Sequence, residues 1–459
     1  MTTTQRPLVG FYGDDFTGST DAMEALASQG LDVLLFLRTP SDAETALARE
    51  RYACVGIAGT SRSQGVAWMD AQLPAPFGQL RALAPCIAHY KVCSTFDSSP
   101  TVGNIGRAIE IGRSVFASRG ATPIVVGAPA LGRYTAFGHL FARAHDGHCH
   151  RIDRHPTMSR HPVTPMDESD LISHLARQTA LRGSAFHFVA QGRPDAPEQF
   201  AQAIVSSDML LLDVLDDASQ EWVGARLWQL AQQQDAPLFC VGSSGVEYAL
   251  AAHWRRAGRP GIGTPKWAPV QAERIAVVSG SCSPVTARQI DRAEAEGFVC
   301  LRADATKLVI PEFATQEIAR LRGMALSALG GGRSVLICTA RGPQDAAIAQ
   351  LDAFIRDHAL DPAQALSRIG EGLGVLLRDL IAMAGLRRVA VAGGDTSGHA
   401  VQVLGLSALR LRALLTPGAP LCEGVQDLDR AAVIEIALKG GQMGSDRYFA
   451  SVAAGRPLS

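Results

Sequence analysis

Short apolar runs alternate with longer amphipathic stretches along the whole chain. In the first half they are PLVGFY, DVLLFL, ACVGIA, HYKVC, PIVVGAP, DMLLLDV and PLFCVG; in the second, RIAVVSGS, FVCLRAD, SVLICTA, RRVAVAGGD and AVIEIALKGG. Continuous apolar runs of about four to eight residues read as strands buried on both faces, and their alternation with helical stretches predicts parallel sheets covered by helices. Between Gly258 and Pro269 the sequence GRPGIGTPKWAP gathers glycine and proline with no apolar period, after which a fresh strand begins. The prediction is an α/β protein of two α/β domains with largely parallel sheets, residues 1–260 and 270–459.

Composition narrows the class. A chain of 459 residues exceeds the size at which single cores stop growing. Hydrophobic residues at 47% and charged residues at 19% are ordinary globular values, and no apolar run is long enough to span a bilayer, so no membrane partner is expected. A formal net charge of -1 without a basic block argues against nucleic acid as a partner. The amino terminus MTTTQRPLVG shows no secretory pattern, and the nine cysteines stand singly without a CxxC pair, several inside strand-like runs. Both features are expected of a cytoplasmic protein with reduced thiols.

The richest stretch of the first domain is GFYGDDFTGSTDAMEAL, Gly10 to Leu26. A strand ends there in two adjacent carboxylates, Asp14 and Asp15, at the carboxyl end where parallel sheets place ligand chemistry. Thr17, Gly18, Ser19 and Thr20 supply a bend and helix caps, with Asp21 and Glu24 as acids of the first helical turns. After ACVGIA come Ser61 and Arg62, an arginine whose planar fork suits a substrate carboxylate. HYKVCSTFDSSPTVGNIG places Lys91 inside an apolar strand, with Ser94, Thr95 and Asp97 just beyond it. A strand lysine needs a partner, either a structural carboxylate such as Asp97 or a substrate anion. GAPALGRY sets Arg133 after another strand. The run HDGHCHRIDRHPTMSRH, with His145, His148, Cys149, His150, His155 and His161, matches no zinc-finger spacing. His155 and His161, paired with Asp153 or Asp167, fit better as single groups in a polar pocket.

Three strand ends of the second domain carry small hydrogen-bonding residues: Gly280 to Ser283, Gly393 to Gly398, and Gly440 to Gly444. A polyphosphate approaches backbone N–H groups closely, glycine permits that approach, and a following helix N-terminus adds a favourable field. In GGDTSG, Asp395 is the expected Mg²⁺ contact, with Thr396 and Ser397 as donors to phosphate. There is no GxxxxGK[ST] run, and Gly370, Gly372 and Gly374 in IGEGLG lie within helical sequence, so they read as helix packing.

With these residues in place, the chain resembles the four-carbon acid sugar kinase family over nearly its whole length. GDDFTGSTDA, TSRS, KVCSTFDSSPTVGNIG, PALGRY, HPVTPM, VGSSGVEYAL, VSGSCSPVTARQ, VAGGDTSG and LKGGQMG carry the resemblance in order and spacing. It implies an N-terminal domain that holds a small acid sugar, a C-terminal domain that holds ATP, and an interdomain cleft where phosphoryl transfer occurs. It places substrate contacts at Asp15, Arg62, Lys91 and the Ser94/Thr95 region, and Asp14, next to Asp15, is a further expected substrate contact. Nucleotide contacts fall at Ser281, Ser283, Gly393, Gly394, Asp395, Thr396 and Gly441. Many members read ADDFTGA, HPLNPM and KSGNFG where this chain has GDDFTGS, HPVTPM and KGGQMG. The form RIDRHPTMSRHPVTPMDES looks closer to the branch acting on 3-oxo-isoapionate than to the 3-oxo-tetronate, threonate and erythronate branches.

The expected reaction is in-line transfer from ATP, with Mg²⁺, to a primary hydroxyl of a 3-oxo acid sugar. Arg62 is expected to fix the carboxylate, Lys91 to stabilise charge, and Asp14 or Asp15 to take the hydroxyl proton, with Asp15 favoured for contact with the sugar and the base left open. A homodimer is compatible with the sequence. Two rivals stand beside this reading: a non-catalytic sensor of acid sugar and nucleotide, and a sugar-acid lyase using the Asp pair and Lys91.

Overall fold

The computed structural model describes residues 6–458, apart from His145, Pro162, Lys266 and Ala431, and only the backbone of Asp395. The chain forms two compact units, one up to Pro265 and one after it.

In the first unit the predicted apolar runs become β1 (Val9–Gly13), β2 (Val33–Phe36), β3 (Cys54–Ala58), β4 (Ile87–Lys91) and β5 (Thr122–Val125). A small antiparallel sheet follows, β6 (Arg133–Ala136), β7 (His139–Arg143) and β8 (Cys149–Arg151), then β9 (Gly183–Phe186), β10 (Met209–Leu212) and β11 (Leu238–Gly242). The main sheet is parallel, in the order β2–β3–β1–β4–β11–β5–β10–β9. After β1 the chain turns towards β2, and after β4 it turns towards β5, so the loops leave β1 and β4 in opposite directions. That reversal opens a crevice at the carboxyl ends of these two strands. Beneath it packs an aromatic floor: Tyr12 stacks on Tyr90 at 6.0 Å, Phe77 meets both edge-on, and the Ser61 hydroxyl lies 3.0 Å from the Tyr90 hydroxyl.

The second unit contains β12 (Ala276–Ser279), β13 (Val299–Arg302), β14 (Val335–Cys338), β15 (Arg388–Ala392), β16 (Ala408–Ala413), β17 (Leu421–Val425) and β18 (Ile434–Lys439). Their order is β13–β14–β12–β15–β18–β17–β16, parallel except that β17 runs antiparallel to both neighbours. Here the chain reverses between β12 and β15. The IGEGLG glycines lie inside the helix Pro362–Ala384: a Cβ at residue 370 would come 2.8 Å from His399 Cβ, and one at 374 would come 2.9 Å from Ala400 Cα. They permit close packing on the helix Gly394–Val403, as the sequence implied. Among the described residues no helix is long and apolar enough to cross a membrane.

Sequence reading missed β6 to β9, β16 and β17. Most are short and half-polar, such as RYTA, CHR and GSAF, and ALRLRA carries two arginines. Their pairing partners, rather than their composition, make them strands.

Candidate active site

The crevice of the first unit is built from the ends of β1 and β4. Gly13 and Lys91 are register partners, and the Asp14 N–H donates to the Lys91 carbonyl at 2.9 Å. Asp15 is the N-cap of the helix Phe16–Ala27: its carboxylate accepts from the Gly18 N–H at 2.8 Å and the Thr17 hydroxyl at 2.9 Å. Gly18 is required here because a Cβ would strike Asp15 Oδ1 and sit 2.8 Å from Lys91 Nζ. Lys91 is 2% exposed and its Nζ lies 3.7 Å from Asp21. Burial pulls the ammonium down, but Asp21, Asp15 and Asp14 together outweigh it and hold its pKa above the ordinary value.

Arg62 sits in a short helical turn, Ser61–Ser63, after β3. Its Nη2 donates to both oxygens of Asp97, at 2.9 and 3.0 Å, and its Nη1 to Asp15 at 3.3 Å. Asp97 also accepts from Thr95 at 2.5 Å and from Thr164 at 3.0 Å. Burial pushes Asp97 up, yet Arg62 and these donors overcome it and hold the carboxyl below its usual range. Ser94, which precedes Thr95 in the chain, is partly exposed.

Asp14 is 4% exposed, and of the acids in this cluster it is the one whose buried oxygen, Oδ1, has no hydrogen-bond partner among the described residues. Burial first, and the Asp15 charge second, push it up to about 7 against the pull of Arg62 and Lys91. A buried carboxyl with a free oxygen, titrating near neutrality, is suited to take a proton from a neighbouring hydroxyl.

In the second unit three loops meet at the carboxyl ends of β12, β15 and β18, because Ser279 and Ala392 are register partners, as are Ala392 and Lys439. Ser283 caps the helix Pro284–Ala295, accepting from the Thr286 N–H at 3.0 Å, and the Ser281 hydroxyl lies 3.0 Å from that of Thr286. The Gly441 carbonyl gathers three donors: the Ser283 hydroxyl, the Thr286 hydroxyl at 2.9 Å and Lys439 Nζ at 3.3 Å. Gly393 has φ of 128°, a conformation side chains rarely adopt, and leads into the helix Gly394–Val403, which has no side-chain cap among the described residues. A Cβ at Gly280 would collide with the Thr396 hydroxyl, one at Gly441 would reach within 2.8 Å of Ser281 Oγ, and the space over Gly394 is open. An uncapped helix start among glycines fits a phosphate chain.

Lys439 is fully buried and donates to Thr286 at 2.9 Å. Among the described residues it has no acidic partner, and burial pulls it down to about 7. A buried ammonium with only neutral acceptors lacks a counter-charge, which a polyphosphate would supply.

Several expectations are corrected. The partner of Lys91 is Asp21, not Asp97, which is committed to Arg62. Arg62, expected to meet a substrate carboxylate, donates to Asp97 and Asp15 and keeps 28% of its side chain exposed. Ser397 donates to the Gly393 carbonyl at 2.6 Å inside its own helix turn and is fully buried, so it does not face a phosphate. His155 and His161 accept backbone N–H groups through Nδ1, while Asp153 pairs with Arg151 and Asp167 with Arg177. His145 and the side chain of Asp395 lie outside the described residues. Asp21, Thr164 and Lys439 were missed as site residues. Only Asp21 left a signal, three residues beyond Gly18 and four beyond Thr17 on the same helix face.

Two family models match the chain, one within each unit. The family model described as the sugar-binding N-terminal domain matches residues 9–250, and that described as the nucleotide-binding C-terminal domain matches residues 276–449. The chain is 46% identical to the 3-oxo-isoapionate kinase of Paraburkholderia graminis, over 98% of this chain and 94% of that protein. It is 31% identical to the 3-oxo-tetronate kinase of Cupriavidus necator, over 98% and 97%. A crystal structure from Salmonella typhimurium LT2 shares the fold, with a TM-score of 0.75 and 24% identity over 97% of this chain and 98% of that one. Two adjoining family matches, and relatives aligned almost end to end, leave one assignment: the chain belongs to the four-carbon acid sugar kinase family and is a sugar-acid kinase.

Proposed function

We propose that this kinase transfers the γ-phosphoryl group of ATP to a primary hydroxyl of 3-oxo-isoapionate, giving 3-oxo-isoapionate 4-phosphate in the catabolism of carbohydrate acids. The substrate rests on the higher identity to the 3-oxo-isoapionate kinase, 46% against 31% for the 3-oxo-tetronate kinase of Cupriavidus necator. The chemistry rests above all on Asp14, among the described residues the one acid of the crevice with an uncommitted buried oxygen.

In this reading residues 1–260 hold the acid sugar and residues 270–459 the nucleotide. The nucleotide phosphates are held by Ser281, Ser283, Gly393, Gly394, Thr396 and Gly441, with Lys439 as their buried counter-charge. Asp395 is the residue that would hold Mg²⁺ here, and the ion would supply neutralisation of phosphate charge. The substrate hydroxyl oxygen bonds to the γ-phosphorus, the bond to the β-phosphate bridging oxygen breaks to release ADP, and the hydroxyl proton passes to Asp14. Asp15 and Arg62 fix the crevice wall, and Ser94 and Thr95 line it. Lys91, kept protonated by Asp21, offsets negative charge at the reacting oxygen. Most of the catalysis is positioning and charge neutralisation. The enzyme works in the cytoplasm, where ATP and reduced thiols are both available.

A panel of acids tests the substrate. ADP release measured with 3-oxo-isoapionate, both 3-oxo-tetronate enantiomers, threonate and erythronate should give the highest kcat/KM for 3-oxo-isoapionate. A higher value for a 3-oxo-tetronate would move the enzyme to that branch.

A further inference from the structure

The acid cluster of the first unit sets four carboxylates, Asp14, Asp15, Asp21 and Asp97, against two cations, Arg62 and Lys91. Both cations already face carboxylates. A substrate carboxylate placed among them would have to compete with Asp97 and Asp15 for Arg62 and with Asp21 for Lys91.

Another guanidinium of the same unit has the opposite surroundings. Arg133 opens β6, just after the turn Pro129–Leu131. Its Nη1 donates to the carbonyls of Leu131, Gly132 and Arg143 at 3.1, 3.2 and 3.3 Å, which fixes the plane of the group. Its Nε is buried without a hydrogen-bond partner, and no acidic side chain among the described residues pairs with it. The groups within electrostatic reach are Cys93, Cys149, Tyr134 and His155. The edge formed by Nε and Nη2, one of the edges by which a guanidinium grips a carboxylate with two parallel hydrogen bonds, is therefore uncommitted. Gly242 is the register partner of both Lys91 and Val125, so the chain that leaves β5 towards Arg133 starts from the same carboxyl edge of the sheet as the crevice. Leaving a buried, charged N–H unsatisfied costs free energy that a bound anion would recover.

We propose that Arg133 holds the carboxylate of the acid sugar through its Nε–Nη2 edge, turning the reacting hydroxyl towards Asp14. This rests on the reading of the first unit as the acid-sugar site, and it gives Arg62 the separate task of holding Asp97 and Asp15 in place. It makes Arg133 the residue that distinguishes an acid from a neutral sugar of the same shape.

The test is a cycle of two ligands and three proteins: 3-oxo-isoapionate and its carboxamide, with wild type, Arg133→Met and Arg133→Lys. Binding is read by calorimetry without ATP, and kcat/KM by ADP release. Wild type should prefer the acid on the order of 100-fold, the value of a charge-assisted fork. Arg133→Met should lose that preference through the KM for the acid while the KM for ATP stays put, and Arg133→Lys should recover only part of it. Because each protein is read with both ligands, a general loss of folding or activity cancels from the preference. Should Arg133→Met not fold, Arg133→Lys and wild type decide. Equal affinity of wild type for acid and amide, or full preference kept in either variant, would overturn the proposal. Acid binding through Arg133 without any ADP release would uphold it and overturn the kinase reading instead.

Discussion

Lys91 Nζ and the Asp21 carboxylate stand 3.7 Å apart, in space that Gly18 leaves open by having no side chain. Asp21 is the largest of the charges that keep this buried lysine protonated. Asp21→Asn should therefore lower the Lys91 pKa and bring the alkaline loss of activity to lower pH, with kcat at pH 8 down on the order of 10-fold or more. A profile of kcat/KM from pH 6 to 10 reads it. An alkaline limb that does not move would remove Asp21 from this role.

Asp14 gives the opposite limb. Pushed up to about 7, it must lose its proton to act as a base, so kcat/KM should rise with pH through neutrality and then level off. Asp14→Asn should be inactive to within about 1% of wild type while binding ATP normally.

The same group predicts a stability change. The native Asp14 carboxyl keeps a proton that the unfolded chain releases near pH 4, so its ionisation erodes native stability between about pH 4 and 7. Asparagine cannot ionise. Asp14→Asn should thus be more stable than wild type at pH 8, on the order of 1–3 kcal/mol, with no such gain at pH 4. Thermal unfolding at the two pH values checks the sign.

Lys439 carries the corresponding prediction for the nucleotide. Burial pulls it down to about 7 with no acidic partner among the described residues, so a bound polyphosphate should raise it again. ATP binding at pH 8 should take up protons, and at pH 6, where the lysine is already charged, it should take up fewer. Calorimetry in two buffers of different ionisation enthalpy measures this. Lys439→Met should abolish the uptake and weaken ATP binding on the order of 10-fold; unchanged uptake in the variant would show that the protons go elsewhere.

The sequence made the crevice loops readable because parallel strands deliver their carboxyl ends to one side, and short apolar runs mark those strands. Asp14, Asp15, Arg62 and Lys91 come together for that reason, as do Ser281, Gly393 and Gly441 in the second unit. Who pairs with whom was not readable. Thr164 reaches Asp97 across 67 residues, Arg62 reaches it across 35, and Lys439 finds Thr286 across 153. No local pattern encodes contacts set by tertiary packing. The uncommitted edge of Arg133 likewise emerges only once every neighbouring carboxylate has been assigned elsewhere.

Phosphorus NMR of ATP, Mg²⁺ and 3-oxo-isoapionate with the enzyme tests the central claim most directly. The γ-phosphate signal should be replaced, one for one with ADP, by a phosphomonoester on the acid sugar, and Asp14→Asn should stop the exchange. Release of inorganic phosphate in place of the ester, or no consumption of ATP while both ligands bind, would contradict phosphoryl transfer to this acid.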